Sequence, residues 1–570
     1  MLAYFVIVPI LTAVFLYVFS TARAARVIAA AAQAALTGFA AYLFFLCKGG
    51  DIVTHLGGYD GALGISLRAD TLSSVFIALT AFIFLIATIY SLNEKGGKLF
   101  WLLLFIWEGL LIGTFLTRDL FNAFVLLEVS TVAVSILIMF NRDTRSMYDG
   151  MLYLMASIVA MQFYLFGVGY IYKLTGVLDM DAAASALSAM DAQSQILPFA
   201  LVMTAVGFKC AIVPLHSWLP RAHGTPGAPP AVSALLSGIH IKSGVYLFMR
   251  FRSIFGEIDV GRFFLVVGII TGIVGFIFAV LQTDIKLILA YHTVSQVGMI
   301  IAGLNMGAVY SYVGGLYHSI NHALFKSALF LSAGVIVQAY GTRDVNSIRG
   351  VLRRFPLVGA ATIMAILGIT GAPLFNGSIS KYFIMSDTSP AVSASLLFIN
   401  LGTIISFIKY SAILFRGGGR VVGGGGAASG AADGGGAASG GGIADGSSAK
   451  IGAVGGASSV IATSEDKVDM SKQVAILALG ALCFVGGIFG EYIIEFLFNV
   501  KVSVDAAGYL QKVAFFAASG FAGFFIYKYF VNKSPLLKRI RALDAGFRAI
   551  CVCMGVFFAL LLVAAGIFAI

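Results

Sequence analysis

The stretch ILPFALVMTAVGFKCAIVPLHSWLPRAHGTPGAPPAVSALLSGIHIKSGVYLFMRFR, residues 196–252, decides the fold. It holds two apolar runs, 196–220 and 230–252, each long enough to cross a hydrocarbon layer as a helix, which takes about 20 residues. Each run carries one lysine deep inside it, Lys209 and Lys242, and Pro214 interrupts the first. A central charge costs about 3 kcal/mol on the insertion scale. These lysines must therefore be paired, hydrated or partly neutral.

Runs of the same kind recur along the chain, near 1–20, 27–47, 71–92, 99–117, 119–140, 148–173, 196–220, 230–252, 262–281, 286–304, 308–340, 357–386, 391–416, 472–498, 508–531 and 545–570. Of the 570 residues, 59% are hydrophobic and 11% charged, and the mean hydropathy is +0.97. Soluble proteins carry about 25% charged residues. The composition excludes a soluble enzyme, a disordered protein and a nucleic-acid binder, and predicts an all-α polytopic membrane protein of about 16 helices.

The net charge of +11 reads as topology. Loops after odd-numbered spans hold 23 Lys and Arg, loops after even-numbered spans 9, and 5 lie inside spans. The positive-inside rule then places both termini outside, and the basic stretch Lys533, Lys538, Arg539, Arg541 and Arg548 in the cytoplasm. The expected location is the cell's inner (plasma) membrane. The first span has no positive residue before it, and Arg23 and Arg26 follow it, which favours a retained helix over a signal peptide. Cys47, Cys210, Cys483, Cys551 and Cys553 contain no CxxC pair, so neither a disulfide framework nor an iron–sulfur site is expected. No cofactor is expected either.

Residues 417–471, with the run GGGGAASGAADGGGAASGGG, read as a flexible cytoplasmic linker. They lack the GxxxxGK[ST] of a phosphate loop. The spans repeat coarsely: Leu99 and Arg262 begin similar helices 163 residues apart, and Pro214 and Pro373 interrupt helices 159 apart. A shift of five helices is odd, so the second copy must be inverted, as in many secondary transporters. The expected organisation is three helices in 1–98, a five-helix repeat in 99–252, its inverted copy in 262–416, the linker, and three helices in 472–570.

Seven charged side chains fall well inside spans: Glu108, Glu128, Lys209, Lys242, Lys326, Lys381 and Lys409, with Glu491 and Glu495 near a span end. His318, His322 and Lys326 are spaced by four and share a helical face. A Glu–Lys pair that forms and breaks would be a proton-loading switch. The blander readings are that Lys409 snorkels, that Glu108 pairs structurally, and that the histidines are satisfied core residues. HSINH lacks the glutamate of HExxH, and no metal is expected.

Residues 206–250, together with TDIKLILAYHTVSQVGMIIAG (283–303), GGLYHSINHALFKSALFLSAG (314–334), GITGAPLFNGSISKYFI (368–384) and FNAFVLLEVSTVAVSILI (121–138), resemble the proton-conducting antiporter-like subunits. That family includes the large membrane-arm subunits of NADH:quinone oxidoreductase, the A and D subunits of Mrp sodium/proton antiporters, and membrane-bound hydrogenase relatives. The resemblance covers roughly residues 60–415 and is nearest to the D-type Mrp and hydrogenase members.

It implies a 14-helix core with two inverted five-helix bundles and broken helices at Pro214 and Pro373. It implies that Glu128 modulates its lysine partner, that Lys209 and Lys242 carry and hand on protons, that His318 and His322 connect, and that Lys381 releases the proton outside. Glu108, Lys326 and His216 are candidates for coupling. The implied partners are other membrane subunits, protons, sodium under one reading, and lipid, with no nucleic acid. NGSISK before and at Lys381 departs from the family's more usual Gly–Phe, and two helices follow the core. The readings left open are a proton-translocating subunit of a respiratory or hydrogenase complex, an Mrp-type cation/proton antiporter module, and a structural scaffold with a non-conducting polar axis.

Overall fold

The computed structural model describes residues 1–19, 21–59, 64–94, 96–415, 468–531 and 545–568. Most of the Gly-rich segment and most of the basic stretch before the last helix lie outside the described residues. Helices α1 (Tyr4–Phe19) and α2 (Ala22–Cys47) lead into a hairpin, β1 (Ile52–His55) and β2 (Ser66–Ala69), paired antiparallel with Ile52 opposite Ala69. Next come α3 (Thr71–Ser91), α4 (Gly97–Leu116), α5 (Leu120–Ile138), α6 (Thr144–Thr175), the short α7 (Met180–Ser188), α8 (Ala192–Lys209), α9 (Trp218–Gly224), α10 (Pro230–Leu235) and α11 (Ile241–Ile254). The second half holds α12 (Gly261–Leu281), α13 (Ile285–Leu304), α14 (Val309–Tyr340), α15 (Val351–Arg354), α16 (Pro356–Thr370), α17 (Asn376–Ile384) and α18 (Pro390–Ser411). The chain closes with α19 (Met470–Ile488), α20 (Gly490–Phe498), α21 (Ala506–Ile526) and α22 (Phe547–Phe568).

Thirteen helices among the described residues are long and apolar enough to cross a membrane. The other three predicted spans are shorter or broken: α1 has 16 residues with Pro9 inside it, α8 and α9 share one span, and α16 and α17 share another. Aspartate N-caps start α3, α5, α6, α7, α8, α13 and α21, each accepting from a backbone N–H of its first turn. The hairpin and α7 are too short or too polar to register as spans in the sequence.

The internal repeat is visible in backbone detail. Bridge Asp119–Asp179 recurs as Asp284–Asp344, and both members shift by 165 residues. Helices α6 and α14 are both 32 residues long, and each ends at a left-handed glycine, Gly176 (φ 73°) or Gly341 (φ 64°). Five passes, α5, α6, α8–α9, α10–α11 and α12, separate Asp119 from Asp284, an odd number that puts the equivalent bridges at opposite ends of the bundle. Asp179 lines a cavity with Ser66, Arg68 and Arg118, whereas Asp284 lines one with Arg145, Pro214 and Arg343. Inversion is the arrangement that places them so.

Both breaks depend on glycine at a backbone contact. A Cβ on Gly244 of α11 would lie 2.7 Å from Cys210 N and from the Lys209 carbonyl carbon. A Cβ on Gly377 of α17 would lie 1.9 Å from Gly368 O. No other residue allows α11 to lie against the end of α8, or α17 to fold back on α16, without displacement. The C-terminal helices flank these breaks: α19 packs on α16, α21 on α18, and α22 on α8.

Candidate functional site

Lys209 is the last residue of α8, so its side chain leaves the helix where the backbone turns away at Cys210–Pro214. Nζ donates to Thr131 Oγ1 of α5 at 2.8 Å and to Ser157 Oγ of α6 at 2.7 Å. Glu128, also on α5, interacts electrostatically with Lys209 but makes no ion pair with it within 4.0 Å, and among the described residues its Oε1 has no hydrogen-bond partner. The expected Glu–Lys contact is therefore open in this structure. The ammonium is satisfied instead by two hydroxyls, Thr131 one turn after Glu128 on α5 and Ser157 on α6.

Tyr153, one turn before Ser157 on α6, joins Lys209's hydroxyl partners to the next element: its hydroxyl lies 2.8 Å from His240 Nε2. His240 belongs to a π-helical segment, Leu236–His240, between α10 and α11. Such bulges rotate the register locally, here two residues before Lys242. Trp107 Nε1 of α4 donates to His240 Nδ1 at 3.3 Å. An indole nitrogen can only donate, so Nδ1 is the acceptor and Nε2 carries the ring proton. In [15N]histidine spectra of the seven histidines, with His240→Gln as assignment control, His240 should therefore be neutral and protonated at Nε2. Trp107→Phe should add the Nδ1–H tautomer; an unchanged signal would refute this hydrogen bond.

Lys242 Nζ hydrogen-bonds His322 Nδ1 of α14 and donates to Ser237 O at 3.1 Å. One turn away, His318 Nε2 lies 3.0 Å from Gln296 Oε1 of α13, and its Nδ1 lies 2.9 Å from Ser380 Oγ of α17. The adjacent Lys381 donates to Ile369 O at 2.6 Å and to Asn400 Oδ1 of α18 at 2.7 Å. Lys381 thereby caps the carbonyl end of the half-helix α16, where a cation is favoured. Lys326 donates to Leu289 O. Lys209, Lys242, His318, His322, Lys326 and Lys381 are all buried.

The remaining candidates sit apart. Glu108 is fully buried on α4 and accepts from Gln33 Nε2 of α2 at 2.6 Å; among the described residues its Oε2 has no hydrogen-bond partner and no base pairs with it. His216 lines a cavity of about 750 Å³ with Pro214, Arg145, Asp149, Arg221 and Asp284, beside the α8–α9 break. Lys409 does not snorkel: it donates to Val280 O and Gln282 O and so caps α12, whose last carbonyls would otherwise lack partners. Sequence reading missed Thr131, Tyr153, Ser157, His240, Gln296, Ser380 and Asn400. Of these, only His240, two residues before Lys242 in IHIK, carried a visible signal.

Antiparallel apolar helices in two inverted copies, each with a broken helix, and a buried polar string between the breaks, make this a multi-pass membrane protein of the inverted-repeat, broken-helix class. Residues 117–408 match the family model described as "NADH:quinone oxidoreductase/Mrp antiporter, TM", and the chain belongs to that family. It is 33% identical over 374 residues to the N subunit of the NADH-quinone oxidoreductase of Desulforudis audaxviator, covering 63% of this chain and 74% of that one. It is 28% identical over 426 residues to the D subunit of the Na(+)/H(+) antiporter of Alkalihalophilus pseudofirmus, covering 72% and 86%. A chain of the Mrp complex from Dietzia sp. DQ12-45-1b shares the fold with TM-score 0.74 at 23% identity, over 96% of this chain and 99% of that one.

Proposed function

We propose that this chain is a proton-translocating, antiporter-like subunit of a multi-subunit membrane complex. Protons enter through the cavity at His216 and Arg221, on the face that the Lys and Arg count makes cytoplasmic. They load Lys209, pass through the hydroxyls of Ser157, Thr131 and Tyr153 to His240 and Lys242, cross to His322 and His318, and reach Lys381 through Ser380. The observation that supports this reading most is that buried hydrogen-bonding groups recur at each stage from one helix break to the other. Ordered water bridges the longer steps.

The family supports the same reading, as do relatives named for sodium/proton antiport and for NADH–quinone oxidoreduction. Glu128 adjusts Lys209 through its field. It lies on a helix whose Val125, Val129 and Val132 are exposed, so a neighbouring membrane subunit can seat against that face.

The test is proton flux in vesicles holding the complex purified with its own partners. Lys242→Ala should cut the flux roughly 100-fold with the complex still assembled, the size of effect expected when a positioned proton carrier is lost. Normal flux in that variant would leave only the scaffold reading. Sodium is examined in the same vesicles. Glu108, a buried acid with no basic partner among the described residues, is the feature that favours cation exchange. Sodium-dependent flux lost in Glu108→Gln assigns the antiporter module, and flux that follows electron transfer without regard to sodium assigns the redox pump.

A further inference from the structure

Beyond the axis, a second lysine reaches the exit. Lys512, the seventh residue of α21, lines a cavity of about 40 Å³ together with Lys381, Asn400, Gly371, Pro373 and Tyr509. That volume holds a few waters, at roughly 15 Å³ of such space for each. Lys512 Nζ donates to Tyr382 O at 3.1 Å and lies 4.5 Å from the centre of the Tyr382 ring. The N-terminal turns of α21 are fastened to the broken span: the Tyr509 hydroxyl accepts from Leu374 N at 3.2 Å and lies 3.1 Å from Ser378 Oγ, and Asp505 N donates to Tyr382 Oη at 3.1 Å. Helix α21 lies outside the region that matches the family model, residues 117–408.

The titratable or charged groups around this cavity are Lys381 and Tyr382 of α17, and Asp505, Tyr509 and Lys512 of α21 and its cap; α18 contributes the neutral Asn400. Among the described residues neither lysine has an ion-pair partner; each holds its ammonium on neutral oxygens or an aromatic face. Two ammonium groups on one small cavity disfavour each other's charged state. A proton arriving on Lys381 therefore meets a second lysine on the same cavity, at the end of the bundle where α17 finishes and α21 begins.

We propose that Lys512 is the release residue of the exit, a positioning group whose charge drives the proton off Lys381 towards that face and opposes its return. This rests on the proton-axis reading above. The experiment compares flux in reconstituted vesicles as a function of pH on the exit side, after size-exclusion chromatography has shown intact assembly. Lys512→Met should slow flux at neutral pH about 5-fold and move the release limb about one pH unit towards alkaline, the size of effect of one nearby charge. Lys512→Arg should keep rate and profile. Lys512→Gln, which retains a donor for Tyr382 O without the charge, should behave as Lys512→Met does and replaces it if that variant does not assemble.

A wild-type profile in Lys512→Gln overturns the proposal. So does a Lys512→Arg that is as slow as Lys512→Met with no shift, since that marks a packing role. Lys381→Ala keeps the two readings apart. Its silence beside a wild-type Lys512→Gln overturns this inference alone, and its normal flux overturns the proton axis itself.

Discussion

Lys209→Ala is expected to lower proton flux roughly 100-fold while the complex still assembles, the order of magnitude lost with a positioned proton-transferring group. The ammonium is buried, it bridges Thr131 and Ser157 on two other helices, and it stands at the head of the string that ends at Lys381. Alanine leaves the two hydroxyls still 3.4 Å apart and able to bond each other, so the loss falls on transfer more than on folding. Lys209→Arg should not restore flux: a planar guanidinium holds its proton at every relevant pH and cannot act as carrier. Glu128→Gln should have a smaller effect, about 10-fold, because in this structure the carboxylate acts on Lys209 through its field and not through contact. The measurement is initial flux in vesicles, normalised to assembled complex. A Lys209→Ala variant pumping within two-fold of wild type, about the limit of such assays, would remove Lys209 from the path.

Why Lys209 could be read from the sequence while its partners could not is a matter of signal. A charge in an apolar run is costly enough to stand out at once, and Lys209, Lys242, Lys326 and Lys381 stand out that way. Serine, threonine and tyrosine bond their own helix or a neighbour at little cost, so Ser157 and Tyr153 look like any other hydroxyl until α6 is seen against α8 and α11. Lys512 was hidden differently: it lies close enough to a span edge to be counted with the loop before it, where a lysine needs no explanation. The broken helices were legible through Pro214 and Pro373. The glycines that make the breaks possible, Gly244 and Gly377, were not, because the contact each permits is with a remote backbone.

The repeat shows what changed between the copies. Tyr153 and Ser157 on α6 correspond, 165 residues on, to His318 and His322 on α14. The same helix face carries hydroxyls in the first copy and imidazoles in the second. The lysines differ too: Lys209 ends the helix before its break, whereas Lys381 lies in the helix after it. The two halves thus place their carriers on opposite sides of equivalent breaks in chain order, and because the second copy is inverted, both carriers fall on the same membrane side of their breaks.

The second large effect concerns stability. Asp70, the N-cap of α3, accepts from Arg118 at 2.9 Å and from Arg250 of α11 at 2.5 Å, with side-chain exposures of 14% for Asp70, 7% for Arg118 and 14% for Arg250. One carboxylate therefore ties the start of α3, the α4–α5 connection and the end of the helix that carries Lys242. Asp70→Asn leaves two guanidinium groups facing each other with no counter-charge, and breaking such a buried pair costs about 3–5 kcal/mol. The pH dependence follows from the same geometry. Burial would raise the Asp70 carboxyl, but Arg250, the Ser73 N–H and Arg118 outweigh it and hold it below the ordinary aspartate range. A group with a depressed folded-state value binds its proton more readily when unfolded. Its contribution is thus fully present above about pH 4 and is lost as pH falls through the lower folded value. Thermal unfolding in detergent should show wild type losing stability below about pH 4, and Asp70→Asn should be both less stable at neutral pH and flatter across that window. If the two proteins melted together at neutral pH, or lost stability in parallel on acidification, the Asp70 clamp would carry none of the fold.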